Sequence, residues 1–367
     1  MNFDFSDEQK QLRDEARRFL SENCTPKHVR AILEGKDAYD RALWKGLADL
    51  GLIGVAIPEE YGGAGAGHLE LCVIAEEIGR ALAPAPYSST VYLAAELLML
   101  AGSDAQKATW LPKIAAGEAI GALALVEGAG DPTPQSIKTT AAGGKLSGTK
   151  TLVPDGGIAD FAIVVAREGL LLVELDSAGV KRDMIETVDP SRNHARIVFD
   201  KAAAEPLGSP ADAWAYVDKV LDRAAVLIAF EQIGGADRAL EMGRDYALDR
   251  IAFGRPIGSF QAVKHMLADM YVAATLARSN AYYGAWALST DSGELPEAAA
   301  NARVSATQAY QLCAKNNNQV HGGMGFTWEF DCHLYYRRSN LLALTLGSQT
   351  MWENRLIDEM RKRNAAA

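Results

Sequence analysis

Apolar positions along this chain follow two different periods, and the period changes twice. Up to about residue 118 the spacing is helical. Phe5, Leu12, Ala16 and Phe19–Leu20 share one face of the run around DEQKQLRDEARRFL. Ser6, with Gln9 three residues on, forms a capping-box pattern at its start. A second helix is predicted around YDRALWKGLADLG, stopping near Gly51. A third is predicted in HLELCVIAEEIGRALAP, ended by Pro84 and Pro86. IPEEYGGAGAG reads as a loop, and SDAQKATWLPKIAAGE closes the segment.

Near residue 119 the texture becomes short apolar runs bounded by turn residues: GALALV, FAIVVA, LLLVEL and ARIVFD. Glu168-Gly169 is the expected hairpin turn between two of them. After Pro210 the helical period returns. Val217, Leu221, Ala224 and Ile228 share a face, and the helix is expected to continue through Gly234-Gly235. Further helices are expected at about 260–289 and 297–318, broken at Gly293 and Pro296. The fold class is therefore α+β: an all-α domain at 1–118, a central β domain at 119–207 and a C-terminal four-helix bundle at 208–367. Strands and helices do not alternate, and no GxGxxG follows a strand, which argues against a Rossmann domain.

Composition narrows the partners. The 367 residues include 47 acidic and 37 basic side chains, a net charge of −10, which disfavours nucleic acid. Apolar stretches such as Ala119–Val126 fall far short of the ~20 residues of a membrane span. MNFDFSDEQKQL lacks the basic and apolar regions of a secretory signal. Cys24, Cys72, Cys313 and Cys332 are scattered and read as free thiols of a cytoplasmic protein. The six histidines lack metal-ligand spacing, so no metal site is expected.

Four stretches, in order, resemble the acyl-CoA dehydrogenase family across nearly the whole chain: FSDEQKQLRDEARRFL, WLPKIAAGEAIGALALVEGAG, YALDRIAFGRPIGSFQAVKHMLADM and QVHGGMGFTWEFDCHLYYRR. The third is the most specific, with RxxFGxPIGxFQ intact. The resemblance implies FAD, an acyl-CoA substrate, a homotetramer or a mixed α2β2 tetramer, and an electron-transfer flavoprotein as acceptor. The implied reaction is removal of an alpha proton by a carboxylate and of a beta hydride by the flavin, giving a trans-2-enoyl thioester.

The resemblance also assigns residues. Arg250 and Phe253 match the Arg and Phe that reach a neighbouring subunit's FAD, and Gln261 follows the same pattern. A guanidinium fork suits a pyrophosphate. The residues alone leave open that Arg250 pairs with Asp249 or Glu241, and that Phe253 is core. Gln319, Gly322 and Gly323 match the QxxGGxG turn near the adenosine half of a neighbour's FAD, and His321 within it reads as a packing residue.

The chain's own flavin-facing half departs from the pattern. Leu125 and Val126 stand at the flavin-contacting strand end, where the family has T-E-P-G-A-G-S-D and this chain has Val126-Glu127-Gly128-Ala129-Gly130-Asp131. Where the family has W-I-T-N-G, this chain has Leu152-Val153-Pro154-Asp155-Gly156. Leu346 stands where many members carry the catalytic Glu. Other members place the base at a position matching Ala224; Asp222, two residues earlier, is a candidate base that also reads as a surface carboxylate paired with Arg223 or Lys219. Glu353 reads as solvated. The expectation is an acyl-CoA dehydrogenase family member. The alternatives are a companion subunit that supplies half of a partner's FAD site, as in bacterial members acting on sterol side chains, or a flavin oxidase or monooxygenase on the same fold.

Overall fold

The structure, a computed structural model, describes residues 5–366. Helices come first: α1 (Asp7–Asn23), α2 (Pro26–Glu34), α3 (Arg41–Asp49), α4 (His68–Arg80), a π-wound run Ser88–Ala95 leading into α5 (Glu96–Ala101), and α6 (Asp104–Ala115). Strands follow: β1 (Gly121–Ala124), β2 (Thr140–Ala142), β3 (Lys145–Pro154), β4 (Phe161–Ala166), β5 (Gly169–Glu174), β6 (Val180–Met184), β7 (His194–Ala203) and β8 (Glu205–Leu207). Then come α7 (Ala213–Asp249), the two-residue strands β9 (Ile251–Ala252) and β10 (Arg255–Pro256), α8 (Gln261–Ser289), α9 (Leu295–His321), α10 (Cys332–Leu344) and α11 (Gln349–Ala366). This is the expected α+β order of helices, sheets and helices.

The capping box is present: Ser6 Oγ accepts from Gln9 N and the Gln9 side chain accepts from Ser6 N. The expected turn is displaced by one residue. Ala166 pairs with Gly169, so Arg167-Glu168 forms the connection and Gly169 already belongs to β5. Sequence periodicity also misses the helical run at Ser88–Ala101. Ser88 to Leu98 are all buried, Ser88, Ser89, Thr90 and Glu96 included, so no exposed polar face alternates with a buried apolar one and the run carries no helical stripe.

The strands form two four-stranded sheets, ordered β1-β4-β5-β8 and β2-β3-β7-β6. Only the β1–β4 pair is parallel in these two sheets; the other pairs are antiparallel. β4 is buried along its whole length and β5 along all but Glu174, which explains their unbroken apolar sequences. None of the described helices is long and apolar enough to cross a membrane.

The chain divides into two compact units. One comprises Met1–Val29, Leu71–Ala83 and Ala225–Ala367; the other comprises Arg30–Glu70 and Pro84–Ala224. In the second unit, Tyr87 Oη donates to Leu52 O at 2.5 Å and Trp44 Nε1 to Gly117 O at 2.9 Å. The Asp160 carboxylate accepts from Ile120 N at 2.7 Å, fixing the chain as it enters β1.

In the first unit α4 and α7 approach until their backbones touch. A Cβ on Gly79 would overlap the Glu231 carbonyl, and one on Gly234 would overlap that of Glu76. Gly235 is likewise filled by the ring of Tyr310. Charged side chains surround this crossing. Arg278 donates to Glu76 at 2.8 and 3.1 Å and also reaches Asp237. Arg17 grips Glu77 at 2.9 and 2.6 Å, while Glu241 accepts from both Arg80 and Arg238. Burial pushes the Glu77 carboxyl up, and its hydrogen bond to Arg17 opposes that shift.

The crossing makes a direct prediction. Gly234→Ala forces overlap with backbone and should cost ~1–3 kcal/mol or more. Gly243→Ala in the same helix meets only ordinary contacts from 3.5 Å outward. It should be neutral or stabilising by up to ~1 kcal/mol. Urea denaturation of both variants checks the contrast.

Candidate functional site

Arg250 lies just past the end of α7, its N–H bonded to Tyr246 O at 2.9 Å. Its side chain is exposed and makes no ion pair among the described residues. The pairing with Glu241 left open by the sequence is not adopted, because Glu241 is taken by Arg80 and Arg238. Beyond Arg250, β9 and β10 form a small hairpin whose turn is Phe253-Gly254, with φ of 52° and 78°. Glycine suits such a turn and phenylalanine does not. Phe253 is also 95% exposed, so the core-packing reading is corrected: the hairpin holds this ring out in solvent. Its ring lies edge-on to Phe260 at 6.1 Å, and Phe260 also carries the Arg255 guanidinium 4.2 Å from its centroid. Gln261 follows as the first, exposed residue of α8.

The glycine turn ends α9. Gly322 has φ 62° and donates to Gln319 O, closing the helix, so it is required by conformation. Gly323 is different: its φ is not positive, and a Cβ there would meet nothing within 4 Å. Neither strain nor crowding among the described residues demands glycine at 323. Gln319 is exposed on the same turn. His321 packs as expected, stacked on Tyr246 at 4.1 Å with Nδ1 against Asn317 O at 2.9 Å.

In the other unit the strand end Leu125-Val126-Glu127 is anchored by an ion pair that sequence reading missed. Lys150, fully buried, donates to Leu125 O at 3.1 Å and Glu127 Oε1 at 2.7 Å. Glu127 also accepts from the backbone N–H groups of Lys138 (2.6 Å) and Thr139 (3.0 Å). Burial acts to raise its pKa, but these hydrogen bonds outweigh it and hold the carboxyl at about 2. Burial pushes the Lys150 ammonium down, against the pull of Glu127. A charge at each position was visible in the sequence, but Lys150 sits in a strand without an alternating pattern that would mark it as inward-facing. Val126 O accepts from Thr151 N at 2.8 Å.

Leu152 sits at an irregularity of β3 with φ 50°, and half of it is exposed. Pro154 pairs with His194 on β7, and Asp155 is buried, accepting from Ser89 Oγ at 2.6 Å. Position 126 offers no side-chain hydroxyl, 152 no aromatic ring and 154 no N–H donor.

Asp222 is 4% exposed, so the surface part of its expected reading is corrected, and the Arg223 guanidinium donates to Glu96 at 2.7 Å. Glu96 also meets His68 Nε2 at 2.9 Å. Leu346, in the first unit, occupies a left-handed loop after α10 with φ 67°, followed by Gly347 at 106°. Nothing in its side chain takes a proton. Glu353 is half-buried and accepts from Gln349 at 2.7 Å.

These residues fit a flavin dinucleotide unequally. Arg250, the open space at Gly323 and the projecting Phe253 suit a phosphate-bearing ligand held from outside the chain. Val126, Leu152 and Pro154 offer few contacts to a flavin ring. All four cysteines are free and buried.

This α+β arrangement of helices, sheets and helices is on its own a statement of fold, and comparison with known proteins fixes the family. Residues 6–118 match the acyl-CoA dehydrogenase N-terminal domain, and residues 212–360 match its C-terminal domain. Acyl-CoA dehydrogenase IpdE2 of Mycobacterium tuberculosis is 35% identical over 355 residues, covering 96% of this chain and 98% of that protein. A variant of the Tcur3481–Tcur3483 steroid ACAD superposes with a TM-score of 0.89 at 32% identity, covering 98% of this chain and 99% of that one. The ChsE4–ChsE5 complex of M. tuberculosis gives 0.90 at 28% identity, with the same coverages. The chain belongs to the acyl-CoA dehydrogenase family.

Glu127→Gln leaves the buried Lys150 ammonium without its counter-charge and should cost ~3–5 kcal/mol. The wild-type contribution is fully present above the ordinary carboxyl value of 4.5 and is lost as pH falls through about 2. Stability measured by denaturant titration from pH 6 downward should therefore decline less steeply in Glu127→Gln. Parallel curves for the two proteins would contradict the assignment.

Proposed function

We propose that this chain is a companion subunit of an FAD-dependent acyl-CoA dehydrogenase assembled as a mixed α2β2 tetramer. The observation that carries the reading is Leu346, an apolar residue at the position where many relatives hold the alpha-proton base. Arg250, Phe253, Gln261, Gln319, Gly322 and Gly323 form the half given to a neighbour. Arg250 would pair with the dinucleotide phosphates, since its guanidinium has no competing carboxylate among the described residues. Phe253 would cover part of the neighbour's cofactor, which accounts for an aromatic ring held in solvent on a strained turn. Gly323 would let backbone lie against the adenosine half. When bound, FAD supplies the hydride acceptor for the beta carbon of an acyl-CoA thioester, and an electron-transfer flavoprotein is the proposed onward acceptor.

Leu125, Val126, Leu152 and Pro154 form the half this chain would use itself. Each missing hydrogen bond there is worth ~0.5–1.5 kcal/mol, so together they weaken retention of a flavin. The Tcur3481–Tcur3483 and ChsE4–ChsE5 relatives, whose names each join two proteins, support a mixed assembly. The three-segment division at 118 and 207 and a cytoplasmic location belong to the same proposal. A second reading, an active homotetramer, is favoured by one observation: Asp222 is buried rather than solvated.

Anaerobic mixing with a panel of acyl-CoAs tests the proposal. The lone chain should show little or no flavin bleaching. Leu346→Glu should not restore turnover, because a positioned base supplies ~10²–10⁴-fold only when its surroundings are also in place. Fast bleaching abolished by Asp222→Ala would overturn the companion reading and make Asp222 the base. Rapid oxygen consumption would favour an oxidase.

Arg250→Ala should weaken FAD retention in the assembled complex by ~1.5–3 kcal/mol, whereas Leu346→Ala should leave it unchanged. Flavin content after gel filtration reads both, and equal content in the two variants would contradict the role of Arg250.

A further inference from the structure

The loop that carries Leu346 is held from two sides by buried donors. Arg303, on α9, is almost wholly enclosed. Its guanidinium donates to Gln232 Oε1 and Thr307 Oγ1, each at 2.6 Å, to Thr345 O at 2.7 Å, and to Leu342 O. The last two acceptors stand at the C-terminal end of α10, where carbonyls lack intrahelical partners and the helix dipole favours a cation. On the other side Trp352, buried on α11, donates Nε1–H to Leu346 O at 3.1 Å. Between these anchors the backbone turns left-handed at both Leu346 and Gly347. A leucine rarely adopts that conformation unless its surroundings impose it. Burial lowers the Arg303 guanidinium to about 9, an unfavourable effect opposed by Glu231.

We infer that Arg303 and Trp352 are positioning residues that clamp the backbone at 346, so that this chain keeps the frame of a base-bearing loop after losing the base. The inference rests on the reading of 346 as the base position. It explains why a strained turn persists around a residue with no proton to exchange. It also means that whatever side chain stands at 346 leaves the backbone in one fixed direction.

A thiol placed at 346 reports on the clamp directly. The four native cysteines are buried, so alkylation by iodoacetamide in Leu346→Cys reads that one position. The rate is measured on the full chain, alone and combined with Arg303→Lys, Arg303→Met, Trp352→Phe or Gly234→Ala. Loss of the guanidinium in Arg303→Met should change the rate at least about tenfold, the size expected when hydrogen bonds to a charged group are lost, and Trp352→Phe, which loses one neutral bond, should change it about threefold or more. Lysine keeps the charge but not the fork, so Arg303→Lys should lie nearer to the parent than Arg303→Met. Gly234→Ala weakens the α4–α7 crossing and reaches the clamp only through Gln232, two positions away on α7, so it should change the rate far less than the Arg303 variants. Equal rates in all backgrounds would overturn the clamp, as would an equal change in Gly234→Ala. Should the Arg303 variants fail to fold, Trp352→Phe, which deletes one hydrogen bond, decides by itself. The assay uses neither flavin nor acyl-CoA. Failure of the companion reading would appear separately, as turnover by the lone wild-type chain.

Discussion

The close crossing of α4 and α7 is the constraint on which the first unit depends. Two glycines, Gly79 and Gly234, let one helix backbone rest on the other, and no larger residue fits at either. That contact places Glu76, Glu77, Asp237 and Glu241 near one another, and Arg17, Arg80, Arg238 and Arg278 neutralise them. Removing one partner of a partly buried cluster leaves an uncompensated charge, so these groups hold one another in place. The engagement of Glu241 in that cluster has a consequence at the far end of α7. Arg250 is left with no carboxylate partner among the described residues, as the proposed role toward an outside ligand requires.

The two sets of site residues therefore differ in character as well as in sequence. Arg250, Phe253 and Gly323 are exposed and unexplained by contacts among the described residues. Glu127 and Lys150, by contrast, satisfy each other and the strand end around them. Polar groups that are fully satisfied internally serve architecture, and those left open serve binding. That contrast, together with an apolar residue on the clamped loop, is why a donating role suits the chain better than independent catalysis.

Much of the fold was legible in the sequence because its elements carry clean periods and punctuation. The Ser6–Gln9 capping box and the alternation of long amphipathic and short apolar runs appear where the residues indicate. The Ser88–Ala101 run was not legible, since a helix buried on all sides has no stripe to detect. The site was legible only in part. RxxFG and QxxGGxG point to Arg250, Phe253 and the glycines, but only three-dimensional structure shows that Phe253 is held in solvent. Lys150 and Arg303 escaped notice because a single cation within a mixed polar and apolar element signals nothing about its partners. Those partners lie 23 residues away for Glu127 and 71 and 42 for Gln232 and Thr345. Asp222 was placed at the surface by its polarity alone, although it is buried in the fold.

The central claim is that this chain gives half of a flavin site without completing one of its own. Native mass spectrometry of the assembly isolated from its source cells tests it most directly, by counting chains and flavins together. The account predicts two kinds of chain and one FAD for each pair. A single kind of chain carrying one FAD per copy would contradict it.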